Sequence, residues 1–116
     1  MSDWGEPGTI YKSGSGELFS AGNKSRIFWV SLLASGTTGV VKLRNNGKSG
    51  NIYVQLNAPA AVVKGALNGT EFDLGVGVEF PDGCYVDFGA KTAVSGGIAS
   101  GVTSATIVGR KEHIVK

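Results

Sequence analysis

The chain carries one cysteine, one histidine and three prolines, and only 17% of its 116 residues are charged. Each scarcity excludes something. A lone thiol, Cys84, closes no intramolecular disulfide and supplies too few sulfurs for a cysteine-rich zinc site, which points to synthesis in a reducing compartment. A net charge of +2 leaves little long-range pull toward nucleic acid or an anionic membrane. Nowhere do eighteen apolar residues run together, and the opening MSDWGEPG lacks the basic and then apolar order of a signal peptide. Helical periodicity is equally scarce. The best candidate, APAAVVKGAL at 58–67, is interrupted by Pro59 and Gly65 and offers one short turn at most.

What is present is glycine, 19 residues of it, and short runs of Val, Ile, Tyr, Phe and Thr fenced by Gly, Asn or Asp. Such runs read as strands. They fall at 9–13, 16–21, 26–34, 39–45, 51–57, 71–80 (broken at a glycine), 84–89 and 104–110. About eight short strands at roughly ten-residue spacing predict one all-β domain, a sandwich or a barrel. Alternation supports this. Val41 and Leu43 oppose Val40, Lys42 and Arg44 in one segment, and Ile52, Val54 and Leu56 oppose Tyr53 and Gln55 in the next, so each strand has one buried and one wet face. RIFWVSLLA at 26–34 differs, because Ile27, Phe28, Trp29, Val30, Leu32 and Leu33 leave neither face polar. It is expected either to be a central strand or to have its outer face covered by another chain. The segment 89–104, dominated by Gly, Ala and Ser, is either a long loop or an irregular strand pair packed by small residues.

The chemical inventory is short. His113 lies in the terminal RKEHIVK without an obvious orienting carboxylate, and Cys84 opens a strand after the turn FPDG, where a small apolar residue belongs. Glu71 and Asp73 share one face of a predicted strand and could hold a hard cation, but they read better as a solvated face. The glycine-rich SGSGEL and NNGKSG are not followed by a helix, which removes the aligned amides of a phosphate loop. Lys12 beside Tyr11, and Arg26 before Phe28 and Trp29, could stack single-stranded nucleic acid, a reading that near-neutral charge disfavours. No catalytic residue, metal ligand or cofactor site is therefore expected, and the chain reads as a non-enzyme.

Taken together, GTIYKSGSGELFSAGNKSRIFWVSLLASGTTGVVKLRNNGKSGNIYVQLNAPA and GVGVEFPDGCYVDFGAKTAVSGGIASGVTSATIVGR resemble a group of small virion structural proteins encoded by tailed bacteriophages. The elements that carry the likeness are a strand ending in VSLLASGTTG, the strand and turn VKLRNNGKSG, and the unit FPDGCYVDF leading to a closing ATIVGR. The resemblance implies a jelly-roll-like β-sandwich that decorates and cements the assembled head, made in the host cytoplasm and carried on the capsid exterior. Its implied partners are the major capsid protein and neighbouring copies of itself, as a dimer or trimer, with no nucleic acid, membrane or cofactor. A tail, neck or fibre component is the related alternative. A small carbohydrate- or nucleic-acid-binding module using Trp4, Trp29 or Tyr53 is the alternative of another class.

A shell-binding role places the weight on surfaces and chain ends. Residues 1–8 and 110–116 are expected to be arms extending from the single domain. The first carries Trp4, with Tyr11 just beyond it, and the second carries Arg110, Ile114 and Val115. Phe28 and Trp29 are interface candidates on the apolar strand. Lys42, Arg44 and Lys48 form a positive patch on and beside the hairpin GVVKLRNNGKSGNIYVQL, whose NNGKSG loop is too long for a two-residue turn and is expected to rely on glycines at positive φ.

Overall fold

The computed structural model describes residues 7–35, 39–59, 67–88, 92–94, 97–99 and 101–112. Trp4, His113, Ile114, Val115 and most of the 58–67 segment lie outside this set. The described chain forms ten strands: β1 (Gly8–Lys12), β2 (Gly16–Phe19), β3 (Ser25–Ala34), β4 (Gly39–Asn45), β5 (Ile52–Ala58), β6 (Asn68–Phe80), β7 (Cys84–Asp87), β8 (Thr92–Val94), β9 (Gly97–Ala99) and β10 (Val102–Lys111). There is no helix among the described residues, and each of the eight runs expected from the sequence is a strand, with ends displaced by up to three residues.

Two antiparallel four-stranded sheets form, β1-β10-β3-β6 (sheet A) and β2-β7-β4-β5 (sheet B). The low-complexity segment is the strand-pair alternative, with β8 and β9 forming a separate two-stranded ribbon. Without that ribbon, the eight remaining strands run 1-8-3-6 in one sheet and 2-7-4-5 in the other. The chain crosses between sheets at nearly every connection, and the last strand returns beside the first. This is the jelly-roll order of the β-sandwich. Inner faces supply one core: Ile27, Val30, Leu32, Ala34, Ala105 and Ile107 from sheet A meet Val41, Leu43, Leu56, Ala58, Cys84 and Val86 from sheet B. Each fully buried aliphatic side chain contributes about 1.5–3 kcal/mol relative to exposure.

The apolar strand at 26–34 is β3, central between β10 and β6. Its two-sided hydrophobicity has a backbone cause. Ser25 and Ile27 face inward at odd positions, whereas Val30, Leu32 and Ala34 do so at even ones. The parity switches because Phe28 is an extra residue: Val108 pairs with Trp29 and Gly109 with Ile27, leaving Phe28 unmatched on β10. On the other side β6 makes an excursion of its own, since Ile27 pairs with Val78 and Trp29 with Asp73, so residues 74–77 stand opposite Phe28 alone. The glycine break expected in this strand is this excursion, with Gly75 and Gly77 at φ of 63° and 93°. A bulge on each strand at one level re-aims the side chains around it.

At one end of the sandwich, three turns lock together. The Gly22 amide donates to the Asp82 carbonyl at 3.0 Å, the Asn46 amide to the Gly83 carbonyl at 3.4 Å, and the Asp82 amide to the Asn45 side-chain oxygen at 2.9 Å. NNGKSG is thus one part of a packed corner. Asn46 takes positive φ (67°) as well as Gly47 (84°), so asparagine shares the role assigned to glycine. The C-terminal boundary also moves. Arg110 and Lys111 complete β10, and Glu112 is buried with its amide donating to the Lys24 carbonyl at 2.7 Å. The expected arm therefore loses its first three residues to the sandwich. Gly8 likewise belongs to β1, paired with Gly109.

Candidate interface surfaces

The surface features of this sandwich are organised by Arg26, whose side chain lies between the end of β10 and the β6 excursion. Its Nε donates to Glu112 Oε1 at 2.6 Å, one terminal nitrogen lies 3.6 Å from Glu79 Oε1, and the other donates to the carbonyls of Val76 (3.4 Å) and Gly77 (3.3 Å). Lys24 adds a second cation on Glu79 at 2.9 Å. Glu112's side chain is 2% exposed, so this carboxylate has exchanged water for the guanidinium. Charge-assisted bonds of this kind are short and about twice as strong as neutral ones. Beside it the Arg110 guanidinium sits over the Phe28 ring, 5.2 Å from its centroid, in cation–π geometry.

The clamp sets the shape of the excursion. A Cβ on Gly77 would lie 2.6 Å from Arg26 Cγ and 2.9 Å from Phe28 Cδ1, and its φ is in the left-handed region, so glycine alone fits without displacement. Upstream, Asp73 Oδ1 accepts the Gly75 amide at 2.8 Å. Between these fixed points Val76 projects outward with 88% of its surface exposed, the most exposed large hydrophobic residue described. Glu71 and Asp73 stand in solvent on the same edge strand, and no group of three potential metal-ligating side chains occurs among the described residues.

The rest of the outer face of sheet A follows the register. Thr9, Val108, Trp29 and Asp73 form one row across β1, β10, β3 and β6, and Tyr11, Thr106, Ser31 and Glu71 form the next. Tyr11 is 65% exposed, while Phe28 and Trp29 are half-buried. These three candidates therefore share one surface, which continues to Arg110. The two faces are dissimilar. On sheet B, Lys42 and Arg44 point outward from β4, but Arg44 is engaged: its Nε meets Asp87 Oδ2 at 3.1 Å and another nitrogen donates to the Gly50 carbonyl at 3.0 Å. Arg44 ties the 46–51 loop to β7, which leaves Lys42 and the exposed Lys48 as cations without an ion pair among the described residues.

Of two further groups, Tyr53 stays exposed (44%) at the rim of the sandwich, while Cys84 belongs to the interior. Tyr53 sits at a register shift between β4 and β5 and stacks on the buried Phe80 ring (centroids 5.3 Å, 27°), closing the core at the rim. Burial pushes the Cys84 thiol up to about 12, consistent with a core residue. Sequence reasoning passed over Val76, Arg26, Glu79 and Glu112 as surface-shaping residues. The one signal present was GVG inside an otherwise continuous strand, an apolar residue between two glycines. At the opposite end from the clamp, Gly39, Val40, Asn57, Ala58 and Pro59 line an open apolar groove of about 330 Å³. Comparisons with family models, with curated proteins and with solved structures find nothing that matches this chain.

Proposed function

We propose that this chain is a non-enzymatic structural protein of a phage virion, a decoration or cement protein that binds the assembled head and stabilises it. The observation that carries the reading is the outer face of sheet A. It is a sheet surface on which Tyr11, Phe28, Trp29 and Val108 are grouped between a cationic corner and an acidic edge, and it adjoins the exposed Val76. Aromatic and arginine side chains at the centre of a patch are the composition of protein-binding surfaces. Decoration of a symmetric shell needs only modest affinity per contact, because repetition multiplies it. The likeness of VSLLASGTTG, VKLRNNGKSG and FPDGCYVDF to phage virion proteins supports the same reading.

The test is binding of the purified chain to empty, expanded phage heads. Saturation at a stoichiometry set by the shell lattice, with a rise in head melting temperature, is the expected result. Absence of binding to mature or expanded heads refutes head decoration, and labelling confined to one vertex assigns the chain to the tail or neck. A second reading, carbohydrate binding, draws on the hydroxyls of Thr9, Tyr11, Ser31 and Thr106 beside Trp29 on the same face. A glycan array separates it from the first.

A further inference from the structure

We infer that copies of this chain associate head to tail, the Val76 projection of one copy entering the groove at Val40, Ala58 and Pro59 of the next. The inference deepens the assembly reading and rests on it for its setting, but the contact itself requires only the chain.

Three observations carry it. First, Val76 is held out rather than merely left out. The Arg26 guanidinium fixes the carbonyls of Val76 and Gly77, the Asp73 carboxylate fixes the Gly75 amide, and Gly77 is packed on Arg26 and Phe28. An apolar side chain fixed in advance on a restrained backbone loses little entropy on docking, which is the economy of a preorganised anchor. Second, the same molecule offers a receptor of matching character. The groove is apolar, and Val40 on its wall is 39% exposed. Third, the Arg26 and Lys24 cations nearest Val76 are paired with Glu112 and Glu79, and the charges left without such a partner near the two features are of opposite sign. Glu71 and Asp73 accompany the projection on β6, whereas Lys42 lies two residues beyond Val40 on the outward face of β4, and none of the three has an ion-pair partner among the described residues.

The topology prevents these features from meeting within one molecule. Val76 lies beside the start of β3, near the level of Ile27, while the groove lies by its end, where Ala34 pairs with Asn68 and the Asn68 side chain donates to the Pro59 carbonyl at 3.2 Å. Seven residue steps of strand separate Ile27 from Ala34, roughly 20 Å. A projection at one end and a socket at the other define a heterologous contact, which propagates into rings or open rows instead of closing as a two-fold dimer. The contact is small, so it is weak between free molecules and becomes effective where copies are lined up on a scaffold.

The experiment uses the purified chain and three variants, each checked by circular dichroism and thermal melting to hold the wild-type fold. Sedimentation equilibrium from about 10 μM to about 1 mM spans the affinities of weak contacts. The weight-average mass of the wild type is expected to rise through this range without a plateau at the dimer. Val76→Asp, blocked at the projection, and Val40→Asp, blocked at the socket, are each expected to remain monomeric. Mixed together they retain one intact projection and one intact socket, so a heterodimer that grows no further is expected. If Val40→Asp does not fold, Lys42→Glu serves as the socket variant, with association weakened at least tenfold. A wild type that stays monomeric throughout overturns the inference, as does a mixture that forms no heterodimer or a plateau at a dimer insensitive to Val76→Asp. Such a failure leaves head binding untouched, and failure of head binding leaves this contact standing.

Discussion

Replacing Arg26 by Ala removes at once the cation of a buried carboxylate and two donors to the β6 excursion. Glu112, whose side chain is 2% exposed with the guanidinium in place, is then left without its counterion. Deleting one partner of a buried pair costs about 3–5 kcal/mol, because the remaining charge is uncompensated. Arg26 is itself partly exposed and Glu112 lies near the chain end, where local opening relieves the penalty, so the lower part of that range, about 3 kcal/mol, is expected. Near 100 residues this corresponds to a fall in melting temperature of about 10–20 °C. Urea unfolding followed by tryptophan fluorescence and far-ultraviolet circular dichroism measures it. The double variant Arg26→Met with Glu112→Leu supplies the control, since replacing both charges by apolar groups removes the uncompensated carboxylate and should recover at least half the loss. A cost for Arg26→Ala below about 1 kcal/mol, the range of an exposed surface pair, would refute the argument that this network is structural.

Other consequences are simpler. Ser25 Oγ is fully buried and has no hydrogen-bond partner among the described residues, so Ser25→Ala is expected to be neutral or stabilising by up to about 1 kcal/mol in the same urea assay. With its thiol raised to about 12, Cys84 should resist thiol reagents in the native protein at neutral pH and react once the protein is unfolded in urea. The sign for stability follows. Between the ordinary thiol value of 9 and about 12 the unfolded chain loses this proton and the folded chain keeps it, so stability falls as pH rises through that window. The fall attributable to Cys84 approaches about 1.4 kcal/mol per pH unit and should be absent from Cys84→Ala. Truncation after Gly109 removes the end of β10 and Glu112 and is expected to lower the melting temperature by several degrees or more, whereas removing only 113–116 spares both the strand and the Arg26 contact.

Much of the fold was legible because strands announce themselves locally. Val41 and Leu43 alternating with Lys42 and Arg44 is a pattern that few other conformations accommodate, and the glycine and asparagine corners mark where each run ends. The surface was less legible. Tyr11, Phe28 and Trp29 were identifiable as candidates from residue type, but their shared face depends on the pairing of β1 with β10 and of β10 with β3. Arg44 was assigned to an open positive patch because nothing nearby in the chain reveals that Asp87, 43 residues on, lies within reach of its guanidinium. In the sequence Arg26 has only Phe28 and Trp29 as visible companions for the same reason, its partner Glu112 being 86 residues away.

By itself, then, the sequence determined the class of structure: a chain poor in helix formers, charge and sulfur, rich in glycine, and alternating in hydrophobicity can bury its apolar side chains only as paired strands. Tertiary structure alone decided the order of those strands, the bulge at Phe28 that turns the face of β3, and the buried Glu112 that holds Arg26 against the excursion carrying Val76. The reason is range. Side-chain alternation is a property of neighbours two residues apart, whereas a strand's partner, a bulge's direction and a buried charge's counterion are chosen among groups that meet only after the whole sandwich has closed.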